Sequence, residues 1–287
     1  MNFFRGQPVE SAAAALARAG FTASEISCEH SFDPSTFSFT RENAERIASA
    51  CDEHGVGTPQ VHFPLISLHP QARDTAADVR DRGCDFTHPD SERAEYDLAR
   101  AEELLALCPV TGTKVMVVHP GGIRRDDGHG AQALARNVEA FERLCETAAC
   151  YDVTIAVENM QEGKGWERFG STVDDLLALI DTVGPDHLGV CFDTSHANVC
   201  GMDMPAELRR IGKHLVATHI SDNLGAHDDH LLPYGGRIDW PPIVAALKEI
   251  GYAGPFNLEI PGESRGSADI LDAKARYARE LVGLMLA

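Results

Sequence analysis

The sequence predicts a single α/β domain, residues 1–287, with the architecture of one (β/α)8 TIM barrel. Its length of 287 residues is close to the roughly 250 that are typical of one such barrel. Neither a low-complexity linker nor a shift in composition divides the chain. Short apolar or β-branched runs alternate with helical patterns along it, which indicates parallel strands joined by helical crossovers.

The strand and helix patterns can be placed in order along the chain. The predicted strands are Ala23–Cys28, Thr58–Phe63, Lys114–His119, Thr154–Glu158, His187–Phe192, Leu215–Ile220 and Pro255–Ile260. The predicted helices are Val9–Ala19, Arg41–His54, Ser91–Cys108, Gly130–Cys150, Thr172–Thr182, Pro205–Ile211, Trp240–Ile250 and Ser267–Leu286. Ser171 followed by Asp174, and Asp239 ahead of Pro241, are typical helix starts. A closed barrel needs one more strand, which would have to be the very short Met1–Phe4, either stubby or truncated at its start.

Composition and charge limit the classes of function. Hydrophobic residues make up 44% of the chain and charged residues 24%, as in globular proteins with a large core. The formal net charge of −19 repels nucleic-acid backbones and acidic membrane surfaces and attracts cations. Nucleic acid is therefore a disfavoured partner, and no membrane association is expected.

The cysteines and the N-terminal residues indicate a reducing compartment. Eight cysteines contain no C-x-x-C pair and no zinc-ribbon spacing, so we predict that they are reduced and serve as small apolar fillers. The first residues resemble no signal peptide and contain no long apolar segment, which favours a cytoplasmic location.

Ionisable side chains recur at the ends of six predicted strands. They are His62, His119, Glu158, Asp193, His219 and Glu259, with His196 one helical turn after Asp193. The carboxyl ends of the strands in a (β/α)8 barrel meet at one mouth, where active sites of this fold lie. Carboxylates gathered there would repel one another unless a cation lay among them. The sequence therefore predicts a divalent metal held by Glu158, Asp193, His219 and Glu259.

The ligand types leave the identity and number of the metal ions open. Three carboxylates and one imidazole suit Mn²⁺, Mg²⁺ or Co²⁺, whereas additional histidines shift the preference toward Zn²⁺. The possible additional ligands are His62, His119, His196, Asp228 and His230. The alternative for these five residues is that they bind substrate or orient the metal ligands.

Two loops are candidates to cover the mouth. Trp166 and Phe169 lie in the loop Gln161–Gly170, where they are expected to form an apolar lid, with Trp166 against the substrate. The segment between Leu65 and Pro89 is long enough to cover the site, and its alternative is a solvated surface loop. Trp240 opens a helix and is expected to be a packing residue.

Several stretches resemble the xylose isomerase-like barrels, a family that includes sugar phosphate isomerases and epimerases and the endonuclease IV-type apurinic endonucleases. The resemblance covers nearly the whole chain. Its most specific stretches are Val117-Val118-His119-Pro120-Gly121-Gly122, Ala156-Val157-Glu158-Asn159, Gly189-Val190-Cys191-Phe192-Asp193-Thr194-Ser195-His196-Ala197, Thr218-His219-Ile220-Ser221-Asp222-Asn223, Asp228-Asp229-His230, Gly235-Gly236-Arg237-Ile238-Asp239-Trp240 and Leu258-Glu259-Ile260-Pro261.

The resemblance implies roles for the residues at the strand ends. Glu158, Asp193, His219 and Glu259 match the metal ligands of the epimerase-like members, in which the two glutamates also move protons. His196 matches a histidine that contacts substrate in epimerases and metal in the endonucleases. Catalytic roles are thus implied for Glu158, Glu259 and His196, and substrate-binding roles are expected for His62, His119, Trp166 and His230.

The resemblance also leaves open a nuclease function. His62, His119, Asp228 and His230 fall where the endonucleases complete a three-zinc cluster. Against that interpretation, Phe63-Pro64-Leu65-Ile66 lacks the tyrosine that the endonucleases place there, and Tyr234-Gly235-Gly236 stands where they show Gly-Glu-Gly.

These observations lead to one principal hypothesis and three alternatives. The principal hypothesis is a metal-dependent isomerase or epimerase that acts on a sugar or polyol-like hydroxy-carbonyl substrate by glutamate-mediated proton transfer through an enediolate. The alternatives are a dehydratase or lyase on a similar substrate, an endonuclease IV-type phosphodiesterase with three zinc ions, and a non-catalytic sugar-binding barrel. Retention of both glutamates argues against the last. A homo-oligomer is compatible with the resemblance, and the sequence does not fix its state.

Overall fold

A computed structural model describes residues 1–32, 38–67, 69, 83–122, 130–162 and 168–287 of the chain. It contains a six-stranded, all-parallel sheet in which each strand pairs with the next one along the chain. The strands are β1 Ala23–Ile26, β2 Gly57–His62, β3 Val115–Val118, β4 Thr154–Glu158, β5 Leu188–Asp193 and β6 Leu215–His219. Glu25 of β1 contacts His219 of β6, so the sheet curls until its first and last strands meet across the interior. This is the predicted α/β TIM-barrel fold.

Helices precede, connect and follow the strands. They are α1 Val9–Arg18, α2 Cys28–Ser31, α3 Arg41–Glu53, α4 Ser91–Thr111, α5 Gly130–Ala149, α6 Val173–Val183, α7 Thr194–Val199, α8 Met204–Ile211, α9 Trp240–Glu249 and α10 Ala268–Leu286. Short 3-10 turns occupy Asn2–Phe4, Gly212–His214 and Pro261–Glu263. Helix α6 starts one residue later than its predicted start signal, because Thr172 rather than Ser171 accepts the backbone N–H of Asp175.

Sequence periodicity located the core well. Strand residues such as Ile155 and Val190 are fully buried, and Trp240 packs in the core as predicted while its indole N–H donates to Asp222 Oδ2 at 3.1 Å. Four small side chains on β3 to β6 form a separate buried cluster inside the barrel: Val117, Ala156, Cys191 and Ala217. Their small volume leaves room for larger polar groups at the strand ends above them.

The predicted first strand, Met1–Phe4, is wrong. The chain turns there into a 3-10 helix, Asn2–Phe4, in which the backbone N–H of Phe4 donates to the carbonyl of Met1 at 2.9 Å. The rings of Phe3 and Phe4 pack edge to face, 4.9 Å apart, and both are buried. Helix α1 begins directly after Pro8, so few residues remain for a strand, and turning inward buries both aromatic rings.

The predicted strand Pro255–Ile260 joins the sheet at the end of β6, where the backbone N–H of Ile220 donates to the carbonyl of Asn257 at 2.8 Å and the carbonyl of Ile220 accepts the N–H of Glu259 at 3.1 Å. In the described part of the chain it forms one parallel bridge, between Leu258 and Ile220. A cavity of about 390 Å³ separates this segment from β1 and is bordered by residues that include Leu16, Gln60, Phe256 and Asn257. We call the Pro255–Ile260 segment and this cavity the seam.

The cysteines are free, as predicted, but only some fill the core. Cys51, Cys108, Cys145 and Cys191 are buried, whereas Cys150 is exposed. Among the described residues, no helix combines the length and the apolar character needed to cross a bilayer.

Candidate metal centre and active site

The four predicted metal ligands meet at the mouth of the barrel. Glu158, Asp193 and His219 are the last residues of β4, β5 and β6, and Glu259 lies on the seam segment beside β6. Their ligand atoms all lie within 4.8 Å of one another. His219 Nδ1 is 3.2 Å from Glu158 Oε1, 3.1 Å from Glu259 Oε2 and 4.0 Å from Asp193 Oδ2. Parallel pairing of consecutive strands therefore brings these distant stretches of chain together, as predicted.

Asp193 provides a direct test of whether a cation fits. Its Oδ1 accepts the backbone N–H of His196 at 2.7 Å and so caps helix α7. Its Oδ2 is buried and has no hydrogen-bond partner within the described part of the chain. An unpaired buried carboxylate oxygen is costly, and here it faces three other potential ligands. Three carboxylates and one imidazole suit a divalent cation, so the donor set fits.

The charges at the site also favour a bound cation. Burial raises the pKa of Asp193 to about 7, with the nearby negative charges of Glu158, Asp228 and Glu259 adding to the effect. Burial opposes ionisation of Glu158 as well, but the neighbouring His219 and His119 hold its pKa well below its usual range. Among the described residues, no lysine or arginine forms an ion pair with the four ligands. In the described part of the chain, the ion-pair contacts of these carboxylates are therefore with imidazole groups.

Two histidines flank the outer oxygen of Glu158. His62 Nε2 and His119 Nε2 each lie 3.2 Å from Glu158 Oε2. Burial lowers the pKa of both, but the hydrogen bond and charge of Glu158 outweigh burial at His62 and raise its pKa to about 9. At His119 the effect of burial outweighs that of Glu158, and the pKa of His119 falls to about 4. Together with Glu158, the two histidines form a second group able to hold a metal ion.

Asp228 organises a third group beside the first two. Its Oδ2 lies 3.2 Å from His196 Nε2 and 2.9 Å from His230 Nε2, and its Oδ1 accepts the hydroxyl of Ser195 at 2.5 Å. Burial lowers the pKa of His230, but Asp228 and Glu259 outweigh it and raise that pKa to about 9. His196 Nδ1 is 3.4 Å from Glu158 Oε1, so this group is continuous with the four candidate metal ligands.

The chain matches a protein-family model over most of its length. The family model described as xylose isomerase-like TIM barrel matches residues 13–282 of the chain. The chain is a member of the xylose isomerase-like TIM barrels. The sequence resemblance is thereby confirmed over nearly the whole chain.

Relatives within the xylose isomerase-like barrels differ in how much of each chain is shared. The chain is 30% identical over 251 residues to the uncharacterized protein MJ1311 of Methanocaldococcus jannaschii, covering 85% of this chain and 76% of that protein. It is 27% identical over 125 residues to a D-psicose 3-epimerase of Enterocloster bolteae, covering 44% of this chain and only 39% of the epimerase.

Solved structures confirm the fold. A structure of L-ribulose 3-epimerase matches with a TM-score of 0.74 at 22% identity, covering 97% of this chain and 88% of that one. Both of these functionally named neighbours are sugar epimerases, which are enzymes, in agreement with the predicted enzyme class.

Of the two residues predicted to form a lid over the mouth of this xylose isomerase-like barrel, the structure describes only Phe169. Trp166 lies outside the described residues. Phe169 is only 2% exposed and belongs to the main apolar core, so its predicted place on a lid is wrong. Its backbone N–H donates to the carbonyl of Gly122, which ties this loop to the end of the β3 strand region and buries the ring. Most of the loop after Leu65 also lies outside the described residues.

Sequence reasoning missed Glu25, which is 3% exposed in β1. Its Oε2 lies 2.9 Å from His219 Nε2 and accepts the amide of Gln60 at 2.5 Å. Burial opposes its charge, but His219 outweighs burial and lowers the pKa of Glu25. An acidic residue inside an otherwise buried strand was the available signal. It is easily overlooked, because active sites of this fold lie at the strand ends.

Arg168 was missed as well. Burial lowers the pKa of its guanidinium, while Asp85 and Glu158 act in the opposite direction. Arg168 is half-buried, and the charge of its guanidinium interacts with those of Asp85 and Glu158. Its sequence neighbours are loop residues, and nothing in their pattern distinguishes it from a surface arginine.

Proposed function

We propose that the protein is a divalent-metal-dependent isomerase or epimerase that acts on a sugar or polyol-like hydroxy-carbonyl compound. The observation that carries the proposal is the pair of glutamates on the metal centre. Glu158 Oε1 and Glu259 Oε2 lie 3.2 Å and 3.1 Å from the same nitrogen of His219. The names of the D-psicose 3-epimerase relative and the L-ribulose 3-epimerase structure support a ketose-like substrate.

A substrate has room beside Glu259. A cavity of about 260 Å³ opens from the mouth and is bordered by His62, His230 and Glu259 as well as by apolar residues that include Phe32 and Leu65. Such a volume suits a small polyol whose carbon face lies on the apolar wall while its hydroxyl groups face the imidazoles. We call this space the mouth cavity.

The two glutamates account for the proton transfer. One glutamate, as the carboxylate, removes the proton from the carbon next to the carbonyl, and the C–H electron pair moves toward the carbonyl oxygen to give an enediolate. The other glutamate, protonated beforehand, gives its proton to the opposite face of that carbon for epimerisation as the carbonyl re-forms. If the first glutamate returns its proton to the adjacent carbon instead, the result is aldose–ketose isomerisation. Glu259, with 13% of its side chain exposed against 1% for Glu158, is the more accessible to substrate.

The metal and the histidines have separate duties. A divalent ion held by Glu158, Asp193, His219 and Glu259 would supply positive charge that stabilises the developing oxyanion. His196 is held at Nδ1 by the carbonyl of Asn159, 2.8 Å away, so its ring is oriented before substrate binds. His62 and His230 border the mouth cavity and would donate hydrogen bonds to substrate hydroxyl groups.

The deciding experiment follows proton exchange. Purified protein is analysed for bound metals and incubated in deuterated water with a panel of ketoses, inososes and keto acids. We expect deuterium at a carbon beside the carbonyl in at least one compound. Glu259→Gln should reduce that exchange by on the order of 10²- to 10⁴-fold without loss of fold. Glu263→Gln, which removes a nearby carboxylate paired with Lys274, is the matched control and should exchange normally.

Phosphodiester hydrolysis is the second candidate, favoured by one observation. Three neighbouring groups of side chains line the mouth without a gap: one contains His62 and His119, one contains His219, and one contains Asp228. Together they offer enough donors for a cluster of ions. Three tightly bound zinc ions with cleavage of an abasic duplex, and no exchange across the panel, would replace the isomerase proposal. Loss of a β-hydroxyl from an exchanging substrate would instead identify a dehydratase.

A further inference from the structure

Glu25 occupies a position that the proton-transfer mechanism does not explain. It lies inside β1 rather than at a strand end, and its carboxylate is on the side of His219 that faces away from the metal centre. His219 is fully buried, with Nε2 toward Glu25 and Nδ1 toward the other ligands. We propose that Glu25 is a positioning residue that fixes both the orientation and the tautomer of His219. The proposal rests on the metal-dependent function proposed above.

The chemistry of imidazole makes the tautomer matter. A neutral imidazole carries one proton, and only its unprotonated nitrogen can bind a metal ion. An ionised carboxylate accepts hydrogen bonds and cannot donate them. Glu25, 2.9 Å from Nε2, therefore favours a proton on that nitrogen, so that in the metal-bound protein Nδ1 is free to bind an ion lying between His219 and the carboxylates of Glu158 and Glu259. The negative charge also makes the imidazole a stronger donor to a cation.

Gln60 holds Glu25 in place. Glu25 and Gln60 are direct partners in the parallel pairing of β1 with β2, so both side chains project to the same side of the sheet. The Gln60 amide donates to Glu25 Oε2 at 2.5 Å, and Gln60 is 1% exposed. The register of β1 with β2 thus places the Gln60 side chain beside Glu25, and its hydrogen bond restrains the Glu25 carboxylate. Glu25 in turn orients the imidazole of His219. The arrangement links the first strand of the sheet to the last.

A purely structural role gives a different expectation. If Glu25 served only as an ion-pair partner of His219, its loss would lower the stability of the barrel and leave the intrinsic affinity for metal unchanged. If Glu25 positions the ligand, its loss weakens metal binding in protein that remains folded. Metal affinity and stability therefore separate the two roles.

The test compares four proteins by equilibrium titration with Co²⁺, followed by visible absorption and by competition with a chelator. They are the unsubstituted protein, Glu25→Gln, Glu25→Asp, and Glu102→Gln, which removes a carboxylate paired with Arg143 on the outer helices. We expect Glu25→Gln to bind Co²⁺ about 10- to 100-fold more weakly with an altered spectrum. Glu25→Asp keeps the charge with a shorter reach and should recover part of the affinity. Glu102→Gln should match the unsubstituted protein.

A second measurement needs no variant. In ¹⁵N-histidine-labelled protein loaded with Zn²⁺, the proposal requires His219 to carry its proton on Nε2 and to be coordinated through Nδ1. A proton on Nδ1, or unchanged affinity and spectrum in Glu25→Gln, overturns the role of Glu25 while leaving the proposed function intact. Failure of the unsubstituted protein to bind Co²⁺ overturns the metal-dependent function itself, and this role with it.

Discussion

The sheet side and the seam side of the mouth are built differently, although both contribute proposed metal ligands. Glu158, Asp193 and His219 end strands that pair continuously from β3 to β6, and their side chains are at most 1% exposed. Glu259 lies on a segment with one bridge to the sheet, and its side chain is 13% exposed. Three of the proposed ligands are therefore positioned by continuous strand pairing. The fourth, Glu259, lies on a segment that pairs with the sheet only around Ile220 in the described part of the chain, and a bound ion would add a further tie there.

The largest expected effect separates the two glutamates. Glu158→Gln removes the carboxylate that contacts His62, His119 and His219, so both metal binding and proton exchange should be lost. Glu259→Gln leaves three ligands on the sheet and should retain weakened Co²⁺ binding while exchange falls by on the order of 10²- to 10⁴-fold. Parallel Co²⁺ titration and deuterium incorporation measure both. Equal loss of Co²⁺ binding in the two variants would contradict the idea that Glu158 on the sheet side contributes more to metal binding than Glu259 on the seam side.

Removal of metal should loosen the seam. At free metal about a thousand times the dissociation constant, binding contributes about 4 kcal/mol to stability. For a barrel of this size that corresponds to a fall in Tm on the order of 10 °C after chelation. Differential scanning calorimetry with and without chelator measures it. The fall should be smaller in Glu259→Gln, and an equal fall would show that the ion does not tie the seam to the sheet.

In the metal-free protein, stability should decrease from neutral to alkaline pH. His62 and His230 have pKa values raised to about 9 in the folded state, because Glu158 and Asp228 outweigh the effect of burial. Their unfolded pKa is about 6.5. The stabilisation is complete below pH of about 6.5 and is lost as the pH rises through about 9. Urea unfolding across this window should show the decline, and His62→Gln should reduce it whereas His54→Gln, at an exposed position, should not.

A packing comparison uses one leucine on each side. Leu176 of α6 is fully buried over the sheet, whereas Leu16 of α1 borders the seam cavity. Leu-to-Ala substitutions in cores cost about 2–5 kcal/mol, and the cost depends on how closely the surrounding side chains pack against the leucine. We expect Leu176→Ala near the top of that range and Leu16→Ala near the bottom, as measured by chemical denaturation. The reverse order would mean that the seam is packed as tightly as the sheet.

The sheet side was largely predictable from sequence. Buried parallel strands tolerate an ionisable residue only with a reason, so Glu158, Asp193 and His219 stood out, and barrel geometry predicted that they would meet. The seam was not predictable in the same way. Met1–Phe4 has the apolar character of a strand, but the helix that starts at Val9 and the burial of Phe4 favour a turn. The local sequence pattern carries no information about the packing of these residues against the rest of the fold, and that packing decides between a strand and a turn.

Glu25 illustrates a different limit. Its role depends on the curl of the sheet, which brings β1 against β6 across 194 residues of sequence. Strand spacing indicates that such closure occurs, but not which side chains touch inside. The same applies to Asp193 Oδ2, whose lack of a partner among the described residues emerges only when its surroundings are known.

The double use of Asp193 has a consequence for ion selectivity. Because Oδ1 caps α7, the carboxylate of Asp193 is held in one orientation, and Oδ2 would have little freedom to adjust to the radius of a bound ion. Glu259, whose segment forms one bridge to the sheet within the described residues, is the proposed ligand that strand pairing constrains least. A larger or smaller divalent ion would therefore be accommodated at one corner only, and the tolerance of the centre for different metals would be set by how far that single segment can shift.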